Sequence, residues 1–347
     1  MAGPRDFSTQ PPDEHSAEIE EQIQALTEEA ADLGSQGRHD EALERFDRAM
    51  ALDPLDADIW HAKARYLMQM DLLNEALECL NGLVEIAPDD ADAWEHKGRC
   101  LHYMTRQEEA LACYIHAEEL LGRHGDFFDE MADCLVWLGR FDEAIELYDR
   151  AIRLNPEDGW IRLCKGDVYE QLDQTDKALQ CYDEALSIDP RFVAALGVKA
   201  GLLAREGRTD EALACYRRAL ELSPGARALW IEASLVLRDV GAYEDAIECC
   251  DRVLAFAPDD PMTLASKASH LLLLGRHEEA LESANKAIEI EADYAWAWLN
   301  KARAEDALGD LKVARQTYER FLEIASLDSR EYEDDIAQAR KRLEEIS

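Results

Sequence analysis

A period of 34 residues constrains this chain more than any other feature. Pro54, Pro88, Pro156, Pro190, Pro224 and Pro258 are separated by 34 or 68 positions, and a frame from Ile23 to Asp328 divides into nine units of 34 without insertion. A unit this short cannot bury a core alone, so neighbouring units must stack and share one. The core of such a stack lengthens without thickening, which frees 347 residues from the size limit of a single globular domain.

Within a unit, apolar or small residues recur at positions 4, 8 and 11 and again at 20, 24 and 27. Both triplets have the spacing of one helix face. In the third unit they are Trp94, Gly98 and Leu101, then Ala110, Tyr114 and Ala117; in the fourth, Phe128, Ala132 and Leu135, then Ala144, Tyr148 and Ala151. Between the triplets stands Gly37, Gly139, Gly207, Gly241, Gly275 or Gly309, where a helix C-cap needs φ > 0 at low cost. The proline at position 32 stops the second helix.

The 34-residue period, with Ala42 and Phe46, Ala110 and Tyr114, Ala144 and Tyr148, Ala178 and Tyr182, Ala212 and Tyr216, and Ala314 and Tyr318 as its A-x3-aromatic pairs and a proline near the unit's end, resembles the tetratricopeptide family. The resemblance implies an all-α chain: a right-handed superhelical solenoid of helix–turn–helix repeats over residues 15–328. A disordered arm is expected over 1–14, where Pro4, Pro11 and Pro12 stand among polar residues. A capping helix is expected over 329–347, with Tyr332, Ile336, Leu343 and Ile346 on the side that closes the last repeat.

Three departures from the family pattern carry expectations. Position 7 is Lys63, Lys97, Lys165, Lys199, Lys267 and Lys301, which predicts a long stem lying along the packed surface with its ammonium at the edge. Arg162 takes the aromatic position 4 of the fifth unit, with Trp160 two residues earlier, which predicts a displaced helix start. Glu305 at position 11 and Ser326 at position 32 read as a worn terminal repeat.

The net charge is -38, from 75 acidic and 37 basic residues. Nucleic acid and anionic membrane surfaces both ask for clustered Lys and Arg, so neither is expected as a partner. Solubility explains the acidity, and a salt-rich cytoplasm is an alternative. No secretory segment precedes Ser16 and no apolar run approaches a membrane span, so a cytoplasmic location is expected. Cys79, Cys113, Cys181, Cys215 and Cys249 share one repeat position and are read as small buried fillers.

The motifs of an enzyme are missing from the sequence: no GxxxxGK, no GxGxxG, no CxxC, and no second His after His277 in HEEAL. His96, Cys100 and Cys134 form the strongest arrangement for zinc, and packing explains them better. No catalysis, cofactor or metal is therefore expected. The alternatives to a binding scaffold are a self-assembling regulatory subunit and an enzyme with an unrecognised site.

The resemblance further implies a concave groove lined by positions 2, 5, 9, 12 and 13 of the first helices, which takes a peptide or partner helix. In one family subclass a clamp for chaperone tails needs Lys at position 5 and Asn at position 9; position 5 here includes Thr27, His61, Glu95 and Asp129 and never Lys. His61, Arg65, Arg99 and His102 make a candidate anion-binding patch, local pairing with acidic neighbours being the alternative. From the fifth unit on, positions 2 and 5 turn apolar or Gly. Trp160, Leu163, Ile231, Leu235, Met262, Leu272, Trp296 and Leu299 are the candidate partner-binding residues of an apolar trough. A second copy of the chain could cover it, and burial in the core is the competing reading.

Overall fold

The computed structural model describes residues 14–121, 127–325 and 332–346; the arm expected over residues 1–14 lies almost wholly outside them. Nineteen helices and no strand are found among the described residues. The chain forms two compact units, Met1–Asp173 and Gln174–Ser347.

The first unit contains α1 (Glu14–Ser35) and α2 (His39–Leu52), α3 (Ala57–Gln69) and α4 (Leu73–Ile86), and α5 (Ala91–Tyr103) and α6 (Gln107–Leu120). It continues with α7 (Phe128–Trp137), α8 (Phe141–Leu154) and α9 (Gly159–Gln171). The second unit opens with α10 (Thr175–Ile188), followed by α11 (Val193–Arg205) with α12 (Thr209–Leu222) and α13 (Arg227–Asp239) with α14 (Tyr243–Phe256). It ends with α15 (Pro261–Leu273) and α16 (His277–Ile290), α17 (Ala295–Ala307) and α18 (Leu311–Ala325), and α19 (Glu333–Glu345). Within each unit, helices pack on their sequence neighbours, as a helix–turn–helix stack requires.

Local chemistry sets the boundaries. Asp56, Asp90, Asp158 and Asp260 cap the helices that follow by accepting backbone N–H bonds, which satisfies donors that no helical carbonyl can reach. Each first helix ends in a left-handed residue at position 15. The six predicted glycines take it, and so do Asp71, Thr105 and Asp173 at φ 58, 59 and 55°. The next residue then bonds back to the carbonyl five earlier, Arg106 to Leu101 at 2.9 Å among them, closing a Schellman turn.

The predicted triplets form the core: Ala110, Tyr114 and Ala117 are fully buried. Gly98 lies under Tyr114, where a Cβ would come within 3.0 Å of the ring, so the small residue at position 8 makes room for the large one at 24. The fifth unit's helix is not displaced. α9 starts at position 1 as α5 and α11 do, because Asp158 caps it and Arg162 returns its guanidinium to the Asp158 carbonyl at 2.9 Å. Nor is Glu305 a sign of wear. It is buried and receives the Thr317 hydroxyl at 2.6 Å; Ser326 lies outside the described residues.

Lysines at position 7 tie consecutive repeats together. Lys63 reaches Asp47 at 2.6 Å, Lys165 reaches Asp149 and Lys267 reaches Asp251 at 2.5 Å, and Lys199 pairs with Asp183. Each Asp is at position 25 of the preceding repeat. Where that place is Asn81 or Asn285, the lysine instead sets its ammonium over the position-4 tryptophan: Lys97 over Trp94 at 5.0 Å and Lys301 over Trp298 at 5.4 Å. Trp60, Trp94, Trp230 and Trp298 each donate the indole N–H to the carbonyl six residues earlier, at 2.8–2.9 Å, which pins a first helix to the turn that leads into it.

At the far end, α19 lays Ile336, Leu343 and Ile346 against the cluster containing Leu299, Phe321 and Ala339. Arg342 spans to both oxygens of Asp306 at 2.7 and 2.8 Å, and Arg303 meets Asp335 at 2.8 Å. All nine cysteines are free; Cys79, Cys113, Cys181 and Cys249 are buried, while Cys215 is only half-buried.

Candidate functional site

The residues expected to form one apolar trough have different surroundings. Leu163 and Leu299 are 4% and 1% exposed, so both are core residues rather than surface anchors. Leu299 shares its cluster with Ala302, Phe321 and, from α19, Ala339. Trp160, in the first unit, is exposed. In the second unit Leu235 and Met262 are exposed at 37% and 47%, with Leu273 beside them in sequence terms at 52%. Ile231, Leu272 and Trp296 are half-buried, Trp296 packing on the Leu264–Ala265 and Ala295–Leu299 clusters. What the second unit presents is therefore an apolar strip on three successive first helices, α13, α15 and α17, carried by positions 2, 9 and 13 more than by position 5.

The candidate anion patch is largely satisfied from within. His61 Nε2 meets Asp90 at 2.7 Å; burial pushes the Asp90 carboxyl up, but His61 and the backbone N–H groups of Ala93 and Asp92 outweigh it and hold it below its usual range. Arg99 pairs with Glu95 and approaches Glu130 at 3.8 Å. Glu130 is pushed up by burial and by its bond with Asp129. His102 Nδ1 stands 3.4 Å from the Cys134 thiol. Arg65 differs: it is exposed and lines a cavity of about 600 Å³ between α1 and α3. Two of the four side chains thus pair with acidic groups, Arg99 with Glu95 as the local-pairing alternative has it and His61 with Asp90 in place of Asp58 or Asp92.

His96 donates to or accepts from no metal-binding set; its Nδ1 meets the Asp92 carbonyl at 2.7 Å. Among the described residues no group of His, Cys, Asp and Glu is arranged to hold a metal ion, and no helix is long and apolar enough to cross a membrane.

The sequence reading missed one feature. Between α12, α13 and α14 lies a cavity of about 550 Å³ with Trp230, Leu213, Leu220 and Leu237 among its apolar walls. Its signal was present as a break in the lysine column: position 7 of the seventh unit is Ala233, and the residue opposite, at position 25 of the sixth, is Arg217.

Two sequence models of one family, each described as tetratricopeptide repeat, match the chain at residues 35–100 and 131–202 and at residues 198–261 and 265–329. No curated protein sequence matches it. Among solved structures, the C-terminal part of a TPR repeat-containing protein from Cytophaga hutchinsonii is 19% identical with a TM-score of 0.52, covering 61% of this chain and 85% of that one. YrrB, a TPR protein with an unusual peptide-binding site, is 25% identical with a TM-score of 0.43, covering 55% of this chain and 98% of its own. Yeast Tom70 is 14% identical with a TM-score of 0.45 and covers 94% of this chain and 96% of its own.

Proposed function

This chain belongs to the tetratricopeptide-repeat family, and from that premise we propose that it is a protein-interaction scaffold whose second unit receives an amphipathic helix or apolar peptide segment on the α13–α15–α17 face. The observation that carries the proposal is the exposure of Leu235, Met262 and Leu273. Large apolar side chains grouped on one face of a repeat stack are surface that a partner can remove from water, at roughly 1 kcal/mol each, since about half of each is already buried. Half-buried Ile231, Leu272 and Trp296 flank them as a firm floor, since their inner faces are already packed. Leu299, buried on α17, supports the strip from below and does not touch the partner; Leu163 is a core residue of the first unit. A net charge of -38 favours a basic partner through long-range attraction and disfavours acidic ones.

The test replaces Leu235 and Met262 together by Glu. The partner captured by the intact chain from a lysate of its source cells should be lost, with helicity unchanged and the melting temperature lowered only slightly, because both side chains are already partly in water. A partner retained at full strength would place the contact elsewhere. Light scattering over a dilution series covers the remaining occupant: a dimer that the double variant abolishes would make it a second copy.

A further inference from the structure

From the cavity between α12, α13 and α14 we infer a second contact point: it is a socket for a lysine side chain of the partner protein. The strongest argument is internal. Six repeats put their own lysine at position 7, in the groove that two second helices make with the first helix between them. Four of those lysines end on the Asp at position 25, and two end over the position-4 tryptophan. The same groove in the seventh repeat holds Ala233, so no stem fills it, while Trp230 remains in place, fixed by its indole bond to the Pro224 carbonyl at 2.8 Å. The space left is about 550 Å³ and opens to solvent with Leu213, Leu220 and Leu237 along its walls. An aliphatic stem fits such walls, and an ammonium gains from an indole face.

Three carboxylates, Glu221, Asp245 and Glu248, and two arginines, Arg217 and Arg252, line the cavity. In other repeats the carboxyl at position 19 feels the position-7 lysine: Glu109, Glu211 and Glu279 are held low first by the arginines that bond them, Arg106, Arg208 and Arg276, and further by Lys97, Lys199 and Lys267. The equivalent residue in the seventh repeat is Asp245, which lines the cavity together with Glu221 and Glu248. Glu248 is engaged by Arg252 at 3.0 Å. Arg217 also lines the cavity, at the place that four other repeats give to Asp; it repels a cation at that end and so directs an incoming ammonium toward Asp245. Trp230, Ala233 and Leu237 lie on a different side of α13 from Ile231 and Leu235, about 100° or more around the helix at about 100° per residue. The socket and the apolar strip can therefore be occupied together.

The inference rests on the reading of this chain as a protein-binding scaffold, and its test is separable from the test of the strip. The probe is a capped pentapeptide with one lysine between glycines, and the readout is the Trp230 indole N–H resonance, assigned with Trp230→Phe, at low salt. The lysine peptide should move that resonance saturably in the millimolar range, and its norleucine analogue should bind about tenfold more weakly. Ala233→Lys should abolish the response by filling the socket from within. Should Arg217 disturb that variant's fold, Ala233→Lys with Arg217→Asp recreates the pair that four other repeats use. The Leu235 and Met262 double variant should respond as the parent does. No shift with the lysine peptide, an equal shift with the norleucine or a glutamate peptide, or an undiminished shift in the filled variant would overturn the proposal.

Discussion

At the scale of single residues, the left-handed position 15 is where geometry and chemistry agree least. Glycine reaches φ > 0 without cost, and Asp tolerates it through its short polar side chain, but Thr105 is β-branched and meets its own carbonyl there. Changing Thr105→Gly should stabilise the fold by about 1 kcal/mol, offset in part by the greater freedom of glycine in the unfolded chain. Urea denaturation with both variants measured side by side checks this, and a loss of stability would mean that the threonine side chain makes a compensating contact. Asp71→Gly and Asp173→Gly should gain less, since Asp is the better tolerated of the two. The same scale shows what sequence reading can and cannot see. Position 15 was legible from its six glycines, yet the three other residues had to be left-handed too, because the Schellman turn, not the glycine, is what every repeat needs.

At the scale of helices and their junctions, one column explains another. Lysine at position 7 occurs opposite Asp or Asn, Met131 stands opposite Ile115, and Ala233 opposite Arg217, so each pair is compatible in charge and polarity. A double-mutant cycle on Lys267 and Asp251 should give a coupling of about 0.5–1 kcal/mol, in the upper part of the range for exposed pairs because the lysine stem is well packed. The corresponding cycle on Lys97 and Asn81 should give none, since that ammonium lies over Trp94 instead. Equal couplings would show that the lysines act through stem packing alone. Turns and most core triplets were readable from periodicity and from residues with one conformational use; the start of α9 and the burial of Glu305 were not, because they depend on the Asp158 cap and the Thr317 hydroxyl. The trough was only half readable. Apolar residues at groove positions look alike in sequence whether a neighbouring element covers them or not, and Leu299 lies in the cluster that α19 joins, a covering that spacing within the 34-residue unit cannot report.

At the scale of the whole molecule, the net charge of -38 works against compactness, because like charges held on a folded surface repel at shorter range than in the unfolded chain. Raising sodium chloride from about 0.01 to 0.5 M shrinks the screening length from about 30 Å to under 10 Å, and should raise the melting temperature measured by calorimetry. The exposed Arg–Glu pairs at the start of the second helices, such as Arg140 with Glu143, lose some strength in the same salt, but each contributes little. A melting temperature that falls with salt would mean that these local pairs outweigh the general repulsion.

Helices within each unit pack chiefly on the elements next to them in sequence, and that has a mechanical consequence. Nothing distant along the chain must be torn apart before a local hairpin can open, so a steady pull on the ends meets many small barriers in place of one large one. The load that frees one hairpin uncovers only the neighbour it packed on, and each released hairpin can rewind against that neighbour when the tension drops. Such a chain should stretch and recoil as a soft spring rather than yield in a single step.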